Sequence, residues 1–153
     1  MNRHTPVPPI IMSLLFLILV SLAACSEKQI FGESTCSIDV VNDSTAPTVN
    51  MKRTDILRVG GWAFDNLSKQ SPDSISINLV SSTGVITKFA DGKTIVARPD
   101  VSAVFSAPSV PTSGFNIDAK LEVQQPGAYE LQILEYFSDR ILVCRTSRSI
   151  RLE

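Results

Sequence analysis

Ser74-Ile75-Ser76-Ile77-Asn78-Leu79 alternates polar and apolar residues without a break, and Tyr129-Glu130-Leu131-Gln132-Ile133 does the same from the apolar side. Strict alternation sends successive side chains to opposite faces of a pleated ribbon, so Ile75, Ile77 and Leu79 share one face, as do Tyr129, Leu131 and Ile133. Cys36-Ser37-Ile38-Asp39-Val40 repeats the pattern, with Cys, Ile and Val on one side. Working outward from these three, residues 56–64, 85–89, 94–97, 115–121, 141–145 and 149–152 read as further strands. Turn residues separate them: Ser82-Thr83-Gly84, Asp91-Gly92, Pro126-Gly127 and Ser138-Asp139. About eight or nine short strands at this spacing predict an all-β protein built as an antiparallel β-sandwich.

One stretch breaks the alternation. In Arg98-Pro99-Asp100-Val101-Ser102-Ala103-Val104-Phe105 the apolar residues Val101, Val104 and Phe105 fall at i, i+3 and i+4. Pro99 suits a first helical position and Asp100 suits a first turn. The expectation is one short helical turn in a crossover loop, its apolar side laid on the sandwich.

The N-terminal residues are an address. IIMSLLFLILVSLAA, residues 10–24, carries no charge. A spanning helix needs roughly 20 apolar residues for about 30 Å of hydrocarbon, so this run suits a secretory signal better than an anchor. It ends in Leu22-Ala23-Ala24-Cys25, which resembles the bacterial lipobox, where a peptidase cuts before Cys and lipid is attached to its sulfur. The resemblance implies a signal peptide at 1–24 and acylation, palmitate included, at Cys25. It places the mature chain in the bacterial cell envelope, held on the membrane by its lipid. Ser26, where an Asp would favour inner-membrane retention, points to the outer membrane in a Gram-negative cell, facing the periplasm or the surface. Residues 25–35 then read as lipidated Cys and polar tether, and 36–153 as one sandwich domain.

Composition removes whole classes of function. Lys and Arg number 14 against 15 Asp and Glu, for a formal charge of −1, so no basic field exists to bind nucleic acid. The single histidine is His4, inside the predicted signal. A mature chain without His lacks the commonest general base and metal ligand, and with them Ser-His-Asp and Cys-His catalysis. No catalytic residue, cofactor or metal site is therefore assigned, and an enzyme is the remote alternative. With Cys25 lipidated, Cys36 and Cys144 remain, and an exported protein predicts a disulfide between them.

Gly61-Trp62-Ala63-Phe64-Asp65, Arg98-Pro99-Asp100-Val101, Ser113-Gly114-Phe115 and Pro126-Gly127-Ala128-Tyr129 follow one another along the chain. In this order they resemble an immunoglobulin-like bacterial β-sandwich module with GWA-x-D, R-x-DV, GF and PG-x-Y motifs. Such modules often accompany cell-surface proteins and glycan-handling enzymes.

The candidate ligand contacts are Asp65, Arg98 and Asp100. Arg98 with Asp100 makes either a clamp for a ligand carboxylate or hydroxyl, or a local charge pair that fixes the turn. Asp65, Asn66 and Asp73 offer oxygens around one loop, without the spacing of a calcium loop. Trp62 is either a sugar-stacking platform or a core plug between small neighbours. Arg140, Arg145, Arg148 and Arg151 make the C-terminal stretch basic, either as a solvated edge or as an attraction to anionic headgroups. The reading is a lipid-anchored binding or adaptor protein for an envelope protein or glycan. The alternative is a structural or assembly factor that pairs its β-edges with a partner subunit.

Overall fold

The computed structural model describes residues 30–121 and 125–153. The predicted signal peptide, Cys25 and residues 26–29 of the predicted tether lie outside the described residues.

The strands are β1 (Ile30–Glu33), β2 (Thr35–Val41), β3 (Thr48–Met51), β4 (Ile56–Phe64), β5 (Ser74–Ser81), β6 (Ile86–Gly92), β7 (Gly114–Lys120), β8 (Gly127–Tyr136) and β9 (Ile141–Leu152), with one helix, α1 (Pro99–Val104). They form an immunoglobulin-like sandwich. The large sheet runs β1-β9-β8-β5-β6, with β3 also on β9, and the small sheet runs β2-β4-β7. All pairings are antiparallel except those of β1 and β3 with β9.

Alternation does what it predicted on β5 and β8, whereas on β2 a register shift between Ile38 and Val40 puts Val41 in the core in place of Val40. Ile75, Ile77, Leu79, Tyr129, Leu131 and Ile133 project from the large sheet onto Ile38, Leu57, Val59, Phe115 and Ile117 of the small one, and all are buried. Cys36 on β2 and Cys144 on β9 are disulfide-bonded, Cα to Cα 6.2 Å, which joins the two sheets covalently across the core. Tyr129, at the start of β8, donates its hydroxyl to the Gln125 carbonyl at 2.7 Å, a tyrosine corner at the crossing from one sheet to the other.

The crossover loop makes a second, smaller core outside the small sheet. Trp62 and Phe64 face away from the main core, and Val101, Phe105, Ala107 and Val110 of the loop cover them. Their rings interlock: Trp62 to Phe64 5.9 Å, Trp62 to Phe105 5.4 Å, and Phe64 to Phe105 5.3 Å between centroids. Pro99 opens α1 and Asp100 lies in its first turn, as the sequence predicts.

Four differences from the sequence reading concern the edges. Ile30–Glu33 and Thr35 are strand residues, so ordered structure begins before Cys36. Thr48–Met51 is a strand that lacks a clean alternating core pattern and is held by its ladder to β9. Residues 94–97 supply only a single bridge, Val96 to Gly114. Residues 141–145 and 149–152 belong to one strand, whose pairing with β8 shifts register between Glu130 and Gln132.

The sandwich has two ends. The proximal end gathers Ile30, Ser34, the 65–72 loop, Gly92, Gly114 and the Tyr136–Ile141 hairpin, as the registers Ile30 to Ile141, Thr35 to Phe64, Ile75 to Gly92 and Ser74 to Tyr136 require. The distal end gathers the Lys52–Asp55 turn, the Ser81–Val85 turn and the C-terminus.

Candidate functional site

The three candidate contact residues lie in two networks of internal bonds. Asp65 closes the β4–β5 loop. Its carboxylate accepts from the Leu67 amide at 2.8 Å, from the Ser68 hydroxyl at 2.7 Å and from Arg140 at 2.7 Å. Burial alone would push its carboxyl up, but those hydrogen bonds outweigh burial and hold it below its usual value. Arg140 also pairs with Asp139 and lies over the Phe137 ring at 4.4 Å.

Arg98 forks between Asp100 at 2.7 Å and Asp39 of β2 at 2.7 Å. Its guanidinium is held firmly charged, first by the Asp100 hydrogen bond, then by Asp39. Asp100 is lowered to about 2, chiefly by Arg98. The arrangement ties the crossover loop to the small sheet. Asp39 therefore completes a fork whose other two members were visible in sequence, and Arg140 completes the bond to Asp65. Both partners lie far along the chain from the residues they bind, beyond the reach of any local motif.

Two glycines explain why the motifs need glycine. A Cβ on Gly61 would collide with the Ser37 carbonyl oxygen of β2. At Gly114 it would meet the Arg98 side chain at 2.8 Å and the Val96 carbonyl oxygen at 2.9 Å. The GWA and SGF motifs thus mark close backbone approaches, and Arg98 lies along the space that Gly114 leaves. Trp62 is half-buried beside them.

The four C-terminal arginines separate. Arg148 donates to the backbone carbonyls of Ile38 at 2.9 Å, Asp39 at 2.6 Å and Thr45, clamping β9 to β2 and the loop after it. Arg140 is engaged at the proximal end, and Arg151, in register with Asn50 and Ala128, is distal. Arg145 alone of the four faces the outer surface of the large sheet at mid-height.

That surface carries exposed polar chemistry. The registers Asn78 to Lys88, Asn78 to Gln132 and Gln132 to Arg145 set four polar side chains in one row across β6, β5, β8 and β9. The neighbouring row holds Ile86, Val80 and Glu130. Between the rows lies a hollow of about 320 Å³, lined by Val80, Ile86, Glu130, Gln132, Arg145 and Thr146. Glu130 and Arg145 are exposed there, and neither forms an ion pair among the described residues. A hollow of mixed polarity with one carboxylate and one guanidinium can receive a polar, hydrogen-bonding ligand. The alternation of β8 implied that Glu130 and Gln132 face outward, but their lateral neighbours depend on register, which sequence does not state.

Among the described residues no three of His, Cys, Asp and Glu come together as a metal-binding group, and no helix is long and apolar enough to cross a membrane. No family model matches the chain, and comparison with the curated proteins finds no match.

Proposed function

We propose that this chain is a lipid-anchored binding or adaptor protein of the bacterial cell envelope, which presents the outer face of its large sheet to an envelope protein or glycan. The anchor rests on Leu22-Ala23-Ala24-Cys25 behind an uncharged run, and the immunoglobulin-like module on its four ordered motifs. The observation that carries the binding role is the hollow beside Arg145 and Glu130. Arg98, Arg140 and Arg148 are engaged inside the protein, whereas this pair is exposed on a rigid, disulfide-closed sheet. Rigid scaffolds that display unpaired polar groups suit recognition.

Retention from detergent-solubilised envelope, on immobilised mature chain, tests the reading. Wild type is expected to hold one stoichiometric protein or a defined glycan, and Arg145→Glu to lose it while the fold stays intact. Equal retention by both, or turnover by the purified chain, would remove this assignment.

An assembly role is the second reading, favoured by the edge of the large sheet. β6 ends its hydrogen-bonded order and exposes Ile86, with Val85 exposed just before it. A partner strand added there would be blocked by proline within β6 but indifferent to Arg145→Glu.

A further inference from the structure

The first described residue of the domain, Ile30, enters at the proximal end, paired with Ile141 at the start of β9. Cys25 lies only five residue steps before it, a span of at most about 18 Å when fully extended. The strand beside it, β9, has 12 residues and rises about 36 Å toward the distal end. The reach from Cys25 to Ile30 is thus at most about half that rise. A domain standing with its distal end on the membrane would hold Ile30 beyond the reach of Cys25.

The exposed apolar side chains follow the same division. The three most exposed are Leu67 at 95%, Val104 at 77% and Ile95 at 73%. All three belong to the proximal end. Leu67 tips the loop closed by Asp65. Ile95 sits between Thr94, whose hydroxyl donates to the Pro72 carbonyl at 3.3 Å, and Val96, bridged to Gly114. Val104 immediately precedes Phe105, whose carbonyl accepts from Lys69 of the Leu67 loop at 3.2 Å. The charges around this end are engaged with one another, Arg140 binding both Asp65 and Asp139, which leaves that trio with a single net negative charge. Apolar tips among paired charges suit the boundary between headgroups and acyl chains more than bulk water.

We infer that the proximal end, through Leu67, Ile95 and Val104, rests on the lipid leaflet that holds the acyl chains of Cys25, and so turns the distal end outward. The inference rests on the lipid-anchor reading proposed above. It also separates duties on the molecule: one end on the lipid, with the large-sheet face at mid-height left clear for a partner.

The test uses the mature acylated chain reconstituted in phosphatidylethanolamine–phosphatidylglycerol vesicles that carry a lipid-borne nitroxide quencher. An environment-sensitive fluorophore is attached in turn at Leu67→Cys and at Arg53→Cys, both exposed positions, the second in the distal turn. Mass spectrometry of the Cys25 peptide is read on each preparation. The expected result is blue-shifted, lipid-quenched emission at position 67, with unshifted emission at position 53 that aqueous iodide quenches. Acylated protein whose two labels are equally open to iodide would overturn the orientation and leave the anchor standing. A Cys25 peptide without acyl mass would overturn both.

Discussion

The hydroxyl of Ser34 donates a hydrogen bond to Oε1 of Glu135, a carboxyl group buried inside the sandwich. Glu135 continues the inward row of Tyr129, Leu131 and Ile133 on β8, so alternation delivers an acid where a hydrocarbon is expected. Its other oxygen, Oε2, is buried without a partner. Ser34 joins β1 of the large sheet to β2 of the small one, and the bond therefore sits where the chain changes sheets.

This pair predicts how stability depends on pH. Burial, and to a smaller extent the Asp65 charge, push the Glu135 carboxyl from 4.5 up to about 7 against the opposing Ser34 bond. The folded state thus holds a proton that the unfolded chain releases, and stability is greatest below about pH 4.5 as far as this group is concerned. It is lost as pH rises through about 7, by on the order of 3 kcal/mol. Urea unfolding across this range should show the decline in wild type and a flatter profile in Glu135→Gln. Equal slopes in the two proteins would show that Glu135 does not carry the proton.

Gly61→Ala is expected to destabilise the fold more than an ordinary strand substitution, because the new methyl meets the Ser37 carbonyl rather than a movable side chain. Overpacking of this kind costs roughly 1–3 kcal/mol or more. The comparison is Gly84→Ala, where open space surrounds the Cβ and only the positive φ of 79° opposes the change. Thermal unfolding should rank Gly61→Ala as the lower-melting variant.

How much of this was legible in sequence varies with distance along the chain. Period-two alternation located β2, β4, β5 and β8 because each turns a row of apolar side chains to the main core, and it found α1 by the change of period at Val101-Val104-Phe105. β1 and β3 escaped because they are short edge strands held by backbone ladders to β9, which leave no pattern in their side chains. The charged candidates were visible as Asp65, Arg98 and Asp100, but their fixed partners, Arg140 and Asp39, are 75 and 59 residues away. Glu135 lies two residues beyond the alternating stretch Tyr129-Glu130-Leu131-Gln132-Ile133 that the sequence reading used. Extending the alternation by one period points it inward, but the extent of β8 and the Ser34 partner that receives its carboxyl come from the structure.

Reduction of the Cys36–Cys144 bond should lower the melting temperature without changing the large-sheet surface. A bridge with a sequence separation of 108 restrains the unfolded chain by roughly 4–5 kcal/mol in the chain-entropy model. Alkylation of native, unreduced protein should leave both sulfurs unmodified, and alkylation after reduction and unfolding should label both. Partner retention that depended on the bond in a still-folded protein would place Cys36–Cys144 in the recognition surface, away from the hollow beside Arg145.

The envelope placement and the orientation on the lipid both depend on attachment at Cys25, and labelled-fatty-acid incorporation in cells tests it most directly. Label is expected on the wild-type chain in the membrane fraction, with Cys25→Ala left unprocessed and unlabelled. Undiminished label on Cys25→Ala, or an unlabelled wild-type chain, would contradict the account.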